Sequence, residues 1–143
     1  YLGVVTKKMS KSAPSVFSRI MLSDTDDDIS QKIKKAKTDS YPLPSTIEEA
    51  NKRPEALNLL SIYAALSEDN TKNIISKYSG KEFSLLKKDL IEVVVDKISP
   101  INKEMEKLMN DKNYLDKVIS NGKKKAINVA DSVLHKVYEV VGL

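Results

Sequence analysis

The chain has 143 residues, of which 41% are hydrophobic and 31% charged, values that are ordinary for one globular domain with a real core. Apolar runs such as Val93-Val94-Val95 are far too short to span a membrane. Disulfides and thiolate metal ligands are excluded because the chain has no cysteine, and its single histidine argues against zinc, so we predict no metal site and a cytoplasmic setting.

The chain begins with a short apolar stretch, Tyr1-Leu2-Gly3-Val4-Val5, that predicts a strand. This stretch lacks the charged beginning and the longer apolar segment of a signal peptide. We therefore expect the chain to have been cut from a larger protein. The net charge of +4 permits a polyanionic partner without requiring one.

A phosphate-binding pattern follows in Lys8-Met9-Ser10-Lys11-Ser12, where two lysines stand three positions apart and each adjoins a serine. Two ammonium groups can follow negative charge as it shifts on a polyphosphate during a reaction. Hydroxyl and backbone N–H groups would complete the cradle. The simpler alternative is a solvated connecting loop.

Residues 23–37 predict the first helix. Three possible N-cap residues precede three aspartates, and four lysines crowd the end: Ser23, Asp24, Thr25; Asp26, Asp27, Asp28; Lys32, Lys34, Lys35, Lys37. Acids at the beginning and bases at the end are what the helix macrodipole favours. The lysines therefore have a structural explanation, and contact with nucleic acid remains the alternative.

Five further elements are predicted from apolar spacing and from caps. They are a turn or short helix at 46–53, a core helix opened by Pro54, a helix capped by Thr71 and stopped near Gly80, one long helix from Lys81 kinked at Pro100, and a short helix from Asp111 ended by Asn121-Gly122. A last helix is predicted at about 123–141.

Two further expectations concern which residues are buried. Met105, Met109 and the apolar residues of the last helix are expected to face a core; the latter are Ala126, Val129, Ala130, Val133, Leu134, Val137 and Tyr138. His135 shares its face with polar residues, and we expect it in solvent.

The run Lys123-Lys124-Lys125 would occupy the first turn of that last helix. Positive charge there opposes the macrodipole by roughly 0.3–1 kcal/mol per residue. An unfavourable placement suggests a functional reason such as contact with phosphates. A solvated helix end is an equally good alternative.

Several blocks of the sequence together match the motifs of one enzyme family. Residues 8–12 spell the KMSKS motif of class I synthetases without a substitution. The other matching blocks are Ser18-Arg19-Ile20 with Leu22 and Asp24, Lys37-Thr38-Asp39-Ser40, Arg53-Pro54-Glu55, the NLLSIYAAL run at 58–66, Tyr78-Ser79-Gly80-Lys81, Leu86-Lys87, Ser99-Pro100-Ile101, Val137-Tyr138-Glu139 and Gly142-Leu143. From Lys7 onward these blocks follow the family's order and spacing. The chain therefore resembles the bacterial-type tryptophanyl-tRNA synthetases, a class I family, and differs from the tyrosyl enzymes, which append a different RNA-binding module after their helical region.

The resemblance implies an enzyme that joins ATP and L-tryptophan into tryptophanyl-adenylate and transfers the amino acid to tRNA(Trp). It implies a Rossmann-like catalytic core, a homodimer, and Mg²⁺ bound with the ATP polyphosphate. By match, Lys8 and Lys11 would stabilise the leaving pyrophosphate, and Met9, Ser10 and Ser12 would complete the ATP-binding loop. The helices would bind tRNA, chiefly its anticodon region, and the last helix would return toward the core.

We accordingly predict a mainly α fold, a helical bundle preceded by the end of a Rossmann-like catalytic domain. The predicted domains are residues 1–24, with the motif, and residues 25–143, which would bind tRNA. The family's HIGH-like motif and tryptophan pocket are absent from this sequence. The 143-residue chain is therefore expected to form no adenylate alone.

Two alternatives to a synthetase portion remain open. One is a free-standing helical tRNA-binding module that has kept the motif as a relic. The other is a purely structural helical bundle in which the motif is a coincidence. The strand predicted at the beginning favours the synthetase portion over the module, and the order of the blocks argues against coincidence.

Overall fold

The computed structural model describes Leu2 and residues 14–142. After a single 3₁₀ turn at Val16–Ser18, six helices follow: α1 (Asp26–Lys35), α2 (Ile47–Asn51), α3 (Pro54–Ser67), α4 (Thr71–Tyr78), α5 (Phe83–Asn110) and α6 (Lys112–Val141). The described residues contain no strand, and the prediction of a mainly α fold is confirmed. Among the described helices, none has the length and apolarity needed to cross a membrane.

Local side-chain chemistry sets where the first helices begin. Thr25 caps α1 in a reciprocal capping box with Asp28, and the three predicted aspartates fill the first turn. Pro54 is the first helical residue of α3, as predicted. The predicted cap of α4 was wrong by one residue, because Asn70 rather than Thr71 accepts the hydrogen bond from the N–H of Asn73.

The chain divides into two compact units, Tyr1–Lys103 and Glu104–Leu143. In the first unit, apolar side chains from α1, α3, α4 and α5 form one core; its fully buried members include Ile29, Ile33, Leu59, Leu60, Ile74, Ile75, Leu86 and Leu90. Burial of each such side chain contributes about 1.5–3 kcal/mol of transfer free energy. This core holds the end of α1 and the beginning of α5 in fixed positions.

The long helix α5 continues through Pro100, which confirms the prediction of one helix there. The boundary between the two units falls inside it, between Lys103 and Glu104. The methionines that follow were predicted to be buried, and this was wrong: Met105 is 37% exposed and Met109 is 65% exposed.

The predicted break at Asn121-Gly122 was also wrong, because α6 is a single helix of 30 residues. An internal glycine costs a helix only about 1 kcal/mol relative to alanine, and the good helix formers around Gly122 tolerate that cost. The helix ends instead at Gly142, whose positive φ of 77° is the left-handed conformation of a C-terminal cap.

The apolar face of α6 is exposed, contrary to the expectation that it faces a core. Val129 is 68% exposed and Val133 is 56% exposed, and α6 has no buried residue. The period of the pattern was correct, but a period indicates only that one face of a helix is apolar and not what covers it. His135 is exposed, as predicted.

Candidate functional site

The predicted ATP-binding residues Lys8, Met9, Ser10, Lys11 and Ser12 lie outside the described residues. Their roles therefore stay predictions. The structure does place residues on both sides of this motif. The N–H of Leu2 donates to the carbonyl of Ser18 at 2.8 Å. Since Leu2 is also buried in the core, both flanks are anchored to the first unit.

The segment that follows the motif is held by a buried ion pair. The Nζ of Lys32 in α1 lies 2.5 Å from the Oδ2 of Asp24, and both side chains are about nine-tenths buried. The same carboxylate oxygen accepts from the N–H of Met21 at 2.7 Å. From α5, the Nδ2 of Asn102 donates to the carbonyl of Leu22 at 3.1 Å. The residues after the motif are thus fixed to two helices of the first unit.

A second network joins two of the blocks that carried the resemblance. The guanidinium of Arg53 binds Asp39 through both carboxylate oxygens, with Nε–Oδ2 at 2.9 Å and Nη2–Oδ1 at 2.5 Å. It also donates to the carbonyls of Pro42 at 2.6 Å and Tyr41 at 3.1 Å. Bidentate pairs of this kind fix geometry as well as adding energy. Arg53 therefore locks the proline-containing loop against the beginning of α3.

The hydrogen bonds from Arg53 hold the pKa of the Asp39 carboxyl below its ordinary value of 3.8. The unfolded chain therefore binds this proton more tightly than the folded chain does. The stability that the pair contributes is present above the ordinary pKa and is lost as the pH falls through the lower folded pKa.

We expect Asp39→Asn to lower the free energy of unfolding by about 1–3 kcal/mol at pH 7, since it removes hydrogen bonds to a charged group. The difference from the wild type should shrink as the pH falls below 3.8, as measured by urea denaturation over a pH series. Glu104→Gln is the control; it breaks an exposed pair with Lys107 and should cost under about 1 kcal/mol. A difference for Asp39→Asn that is equally large in acid would contradict the assignment.

The predicted phosphate-contact run, Lys123-Lys124-Lys125, lies inside α6 and is exposed. The prediction that these lysines occupy the first turn of a helix was wrong, because α6 begins at Lys112 with Asp111 as its cap. Successive helical residues point about 100° apart, so the three lysines do not share one face. Their charge is nevertheless uncompensated along the helix, since no acidic residue occurs between Asp116 and Asp131. A contact with phosphate stays a prediction.

The sequence also matches a known protein family. Residues 4–98 match the family of class I tRNA synthetases for tryptophan and tyrosine (W and Y). The chain belongs to this family. Within the described residues, no group of three or more histidine, aspartate or glutamate side chains is placed to hold a metal ion.

The curated relatives of this class I synthetase chain include tryptophan–tRNA ligases. It is 44% identical over 137 residues to the tryptophan–tRNA ligase of Agrobacterium fabrum, a match that covers 96% of this chain and 39% of the relative. It is 46% identical over 136 residues to the ligase of Rickettsia felis, covering 95% of this chain and 41% of the relative. The resemblance to bacterial-type tryptophanyl enzymes is confirmed.

A solved structure of the family agrees with this relationship. The crystal structure of tryptophanyl-tRNA synthetase from Mycoplasma pneumoniae matches 99% of this chain with a TM-score of 0.74 and 26% sequence identity. The match covers 42% of that chain. The class I synthetase chain therefore spans well under half the length of the relatives that it matches.

Proposed function

We propose that the chain is the C-terminal part of a tryptophan–tRNA ligase. The whole enzyme would activate L-tryptophan with ATP to tryptophanyl-adenylate, release pyrophosphate and transfer the amino acid to tRNA(Trp). One observation carries the proposal: 44% identity to such a ligase over 137 residues that make up 39% of its length. The activity belongs to the longer protein, and this chain contributes a part of its machinery.

Residues 8–12 would contribute to the adenylation site. ATP with Mg²⁺ is a substrate carrying several negative charges on its phosphates. The ammonium groups of Lys8 and Lys11 match that charge, and the hydroxyls of Ser10 and Ser12 add donors. When the tryptophan carboxylate attacks the α-phosphate, the bond from that phosphorus to pyrophosphate breaks. Negative charge then grows on the oxygen that had joined the α- and β-phosphates, and the two lysines would stabilise that charge. Met9 would shape the loop between them.

The helices would bind tRNA(Trp), with residues 1–24 belonging to the catalytic domain and residues 25–143 to the tRNA-binding domain. Uncompensated lysines on α6 support contact with phosphates. The exposed apolar face of α6 supports packing against parts of the enzyme beyond this chain, since such faces mark interaction surfaces. The enzyme would act as a homodimer in the cytoplasm.

Assays of the isolated 143-residue chain test whether it binds tRNA without catalysing adenylate formation. We expect it to bind a tRNA(Trp) transcript but to catalyse no tryptophan-dependent exchange of pyrophosphate into ATP, because the HIGH-like motif and the tryptophan pocket are absent. Exchange at an appreciable fraction of the rate of a whole synthetase would overturn this division. Failure of the folded chain to bind tRNA would overturn the role of the helices.

Replacing Lys123, Lys124 and Lys125 together by glutamine tests the contact proposed for α6. If all three neutralise phosphates, the plot of log affinity for tRNA against log salt should flatten by up to about three units of slope. Fluorescence anisotropy with labelled tRNA at several salt concentrations measures this. An unchanged slope would leave them as solvated lysines.

A further inference from the structure

A pocket of about 480 Å³ lies in the first unit, between the end of α1 and the beginning of α5. Its walls are Lys34 and Thr38 on one side and Phe83, Ser84, Lys87, Lys88 and Ile91 on the other. Its volume falls in the range of pockets that hold small organic ligands, roughly 300–1,000 Å³. None of the residues assigned above to adenylation lines it, and Lys34 is one of the α1 lysines for which contact with nucleic acid was left open.

The charge of this pocket is positive. Three lysines line it, and no acidic residue is among the described side chains that do. Four acids adjoin lining residues in sequence, Asp39, Glu82, Asp89 and Glu92, and none of them lines the pocket. Asp39 has both carboxylate oxygens bound by Arg53, and Asp89 accepts a hydrogen bond from the hydroxyl of Tyr78 at 2.6 Å. Lys34 and Lys88 are exposed, and neither takes part in the ion pairs found among the described residues. An anion that enters the pocket would therefore meet two ammonium groups, on Lys34 and Lys88, that form no ion pair with a carboxylate among the described residues.

Lys87 has a different role, at the base of the pocket. Its Nζ donates to the carbonyl of Ala36 at 2.7 Å and to that of Lys34 at 2.9 Å. These are carbonyls at the C-terminal end of α1, where the helix dipole would repel an anion. The bound ammonium offsets that repulsion. Burial lowers the pKa of Lys87, as expected for a fixed cation rather than a freely solvated one.

The remaining walls combine hydroxyl and apolar surface. Thr38 and Ser84 carry hydroxyls, and Ser84 is in the first turn of α5, where backbone N–H groups favour anions. The buried ring of Phe83 and the stems of the lysines are apolar. A free phosphate would fill only a fraction of this volume, and an acidic side chain would leave its apolar surface uncovered.

We propose that this pocket binds one nucleotide of a single-stranded RNA segment, with its phosphate between Lys34 and Lys88 and its nucleoside against the apolar wall. The proposal rests on the tRNA binding proposed above and gives that binding a specific place. Proteins recognise RNA chiefly in single-stranded loops, whose unstacked nucleotides can enter pockets of this kind. The lysines supply affinity, and the pocket holds the nucleotide.

The test compares two double variants of equal charge. Lys34→Gln/Lys88→Gln alters the pocket, whereas Lys72→Gln/Lys97→Gln removes two exposed lysines elsewhere in the first unit. The pocket variant should weaken binding of a tRNA(Trp) transcript by at least about 10-fold, with a salt slope flatter by about 0.7, the value for one phosphate of a single strand. The control variant should stay within about 2-fold of the wild type. In the wild type, adding a nucleoside 5′-monophosphate should shift the amide resonances of Thr38 and Ser84.

Three results would overturn the proposal. Equal losses in the two variants would show that only total charge matters. Shifts caused equally by inorganic phosphate and by the nucleotide would show that the apolar wall binds nothing. Nucleotide shifts without any effect of the pocket variant on tRNA affinity would show a site for free nucleotides instead. By contrast, a wild-type chain that binds no tRNA would overturn the proposed function itself.

Discussion

In the full-length natural protein, replacing Lys8 and Lys11 together by alanine is expected to slow formation of tryptophanyl-adenylate by at least about 10²-fold. A single preorganised donor to developing negative charge is typically worth 10²–10³ in rate, and the variant removes two charged ones. Tryptophan-dependent exchange of labelled pyrophosphate into ATP measures the effect. Affinity for tRNA should change much less, because the role proposed for the motif is on the ATP polyphosphate and not on the anticodon.

Lys97→Ala is the matched control for this experiment. Lys97 is also a lysine in the first unit, but it is exposed and pairs with the exposed Glu68 at 3.1 Å. Such surface pairs contribute about 0–1 kcal/mol, and we expect the exchange rate to be nearly that of the wild type. If the double variant at 8 and 11 exchanges pyrophosphate as fast as this control does, the role given to the motif is wrong.

Asp24→Ala is expected to lower the free energy of unfolding by about 3–5 kcal/mol. The substitution leaves the ammonium of Lys32 buried without its carboxylate, and breaking a buried pair from one side carries that cost. It also removes the acceptor for the N–H of Met21. Chemical denaturation followed by helical circular dichroism measures the loss.

A second variant separates the unpaired charge from other effects of the substitution. Asp24→Leu/Lys32→Met replaces both charged partners by apolar side chains, and such replacements are often neutral or stabilising. It should recover most of the stability lost in Asp24→Ala. A single variant that costs less than about 1 kcal/mol, or a double variant no better than the single, would show that the pair is not the main attachment of this segment.

The beginnings of the first helices could be predicted from sequence because they depend on neighbouring residues. The capping box at Thr25 joins residues three apart, and Pro54 fixes the first turn of its own helix. The helices α1, α3 and α4 themselves could be predicted from apolar spacing and caps for the same reason. In each case the deciding interaction lies within a few residues.

Features that depend on distant residues could not be predicted in this way. Arg53 and Asp39 are 14 positions apart in the sequence. Lys87 donates a hydrogen bond to the carbonyl of Lys34, which is 53 positions away. Both residues of the first pair stood in matching blocks, yet nothing in one sequence indicated that they meet. The pocket at Lys34 was missed for the same reason, because its two walls come from helices separated in the chain.

The errors in α6 have a related cause. Asn121-Gly122 is a common signal for the end of a helix. Whether the helix ends there depends on whether the helix propensity of the residues on both sides outweighs the cost of the glycine, and here α6 continues to Val141. The apolar periodicity of Val129 and Val133 was correct, whereas their burial depended on a partner surface that sequence pattern does not identify. The motif itself was the easiest feature to find, because its chemistry is confined to five adjacent residues.

Charging of tRNA by the natural protein that contains this chain tests most directly whether the chain belongs to a working tryptophan–tRNA ligase. Labelled tryptophan should be transferred to a tRNA(Trp) transcript in the presence of ATP and Mg²⁺, and labelled tyrosine should not be transferred to tRNA(Tyr). A natural protein that binds tRNA(Trp) but transfers no tryptophan would contradict the claim and leave a helical RNA-binding module.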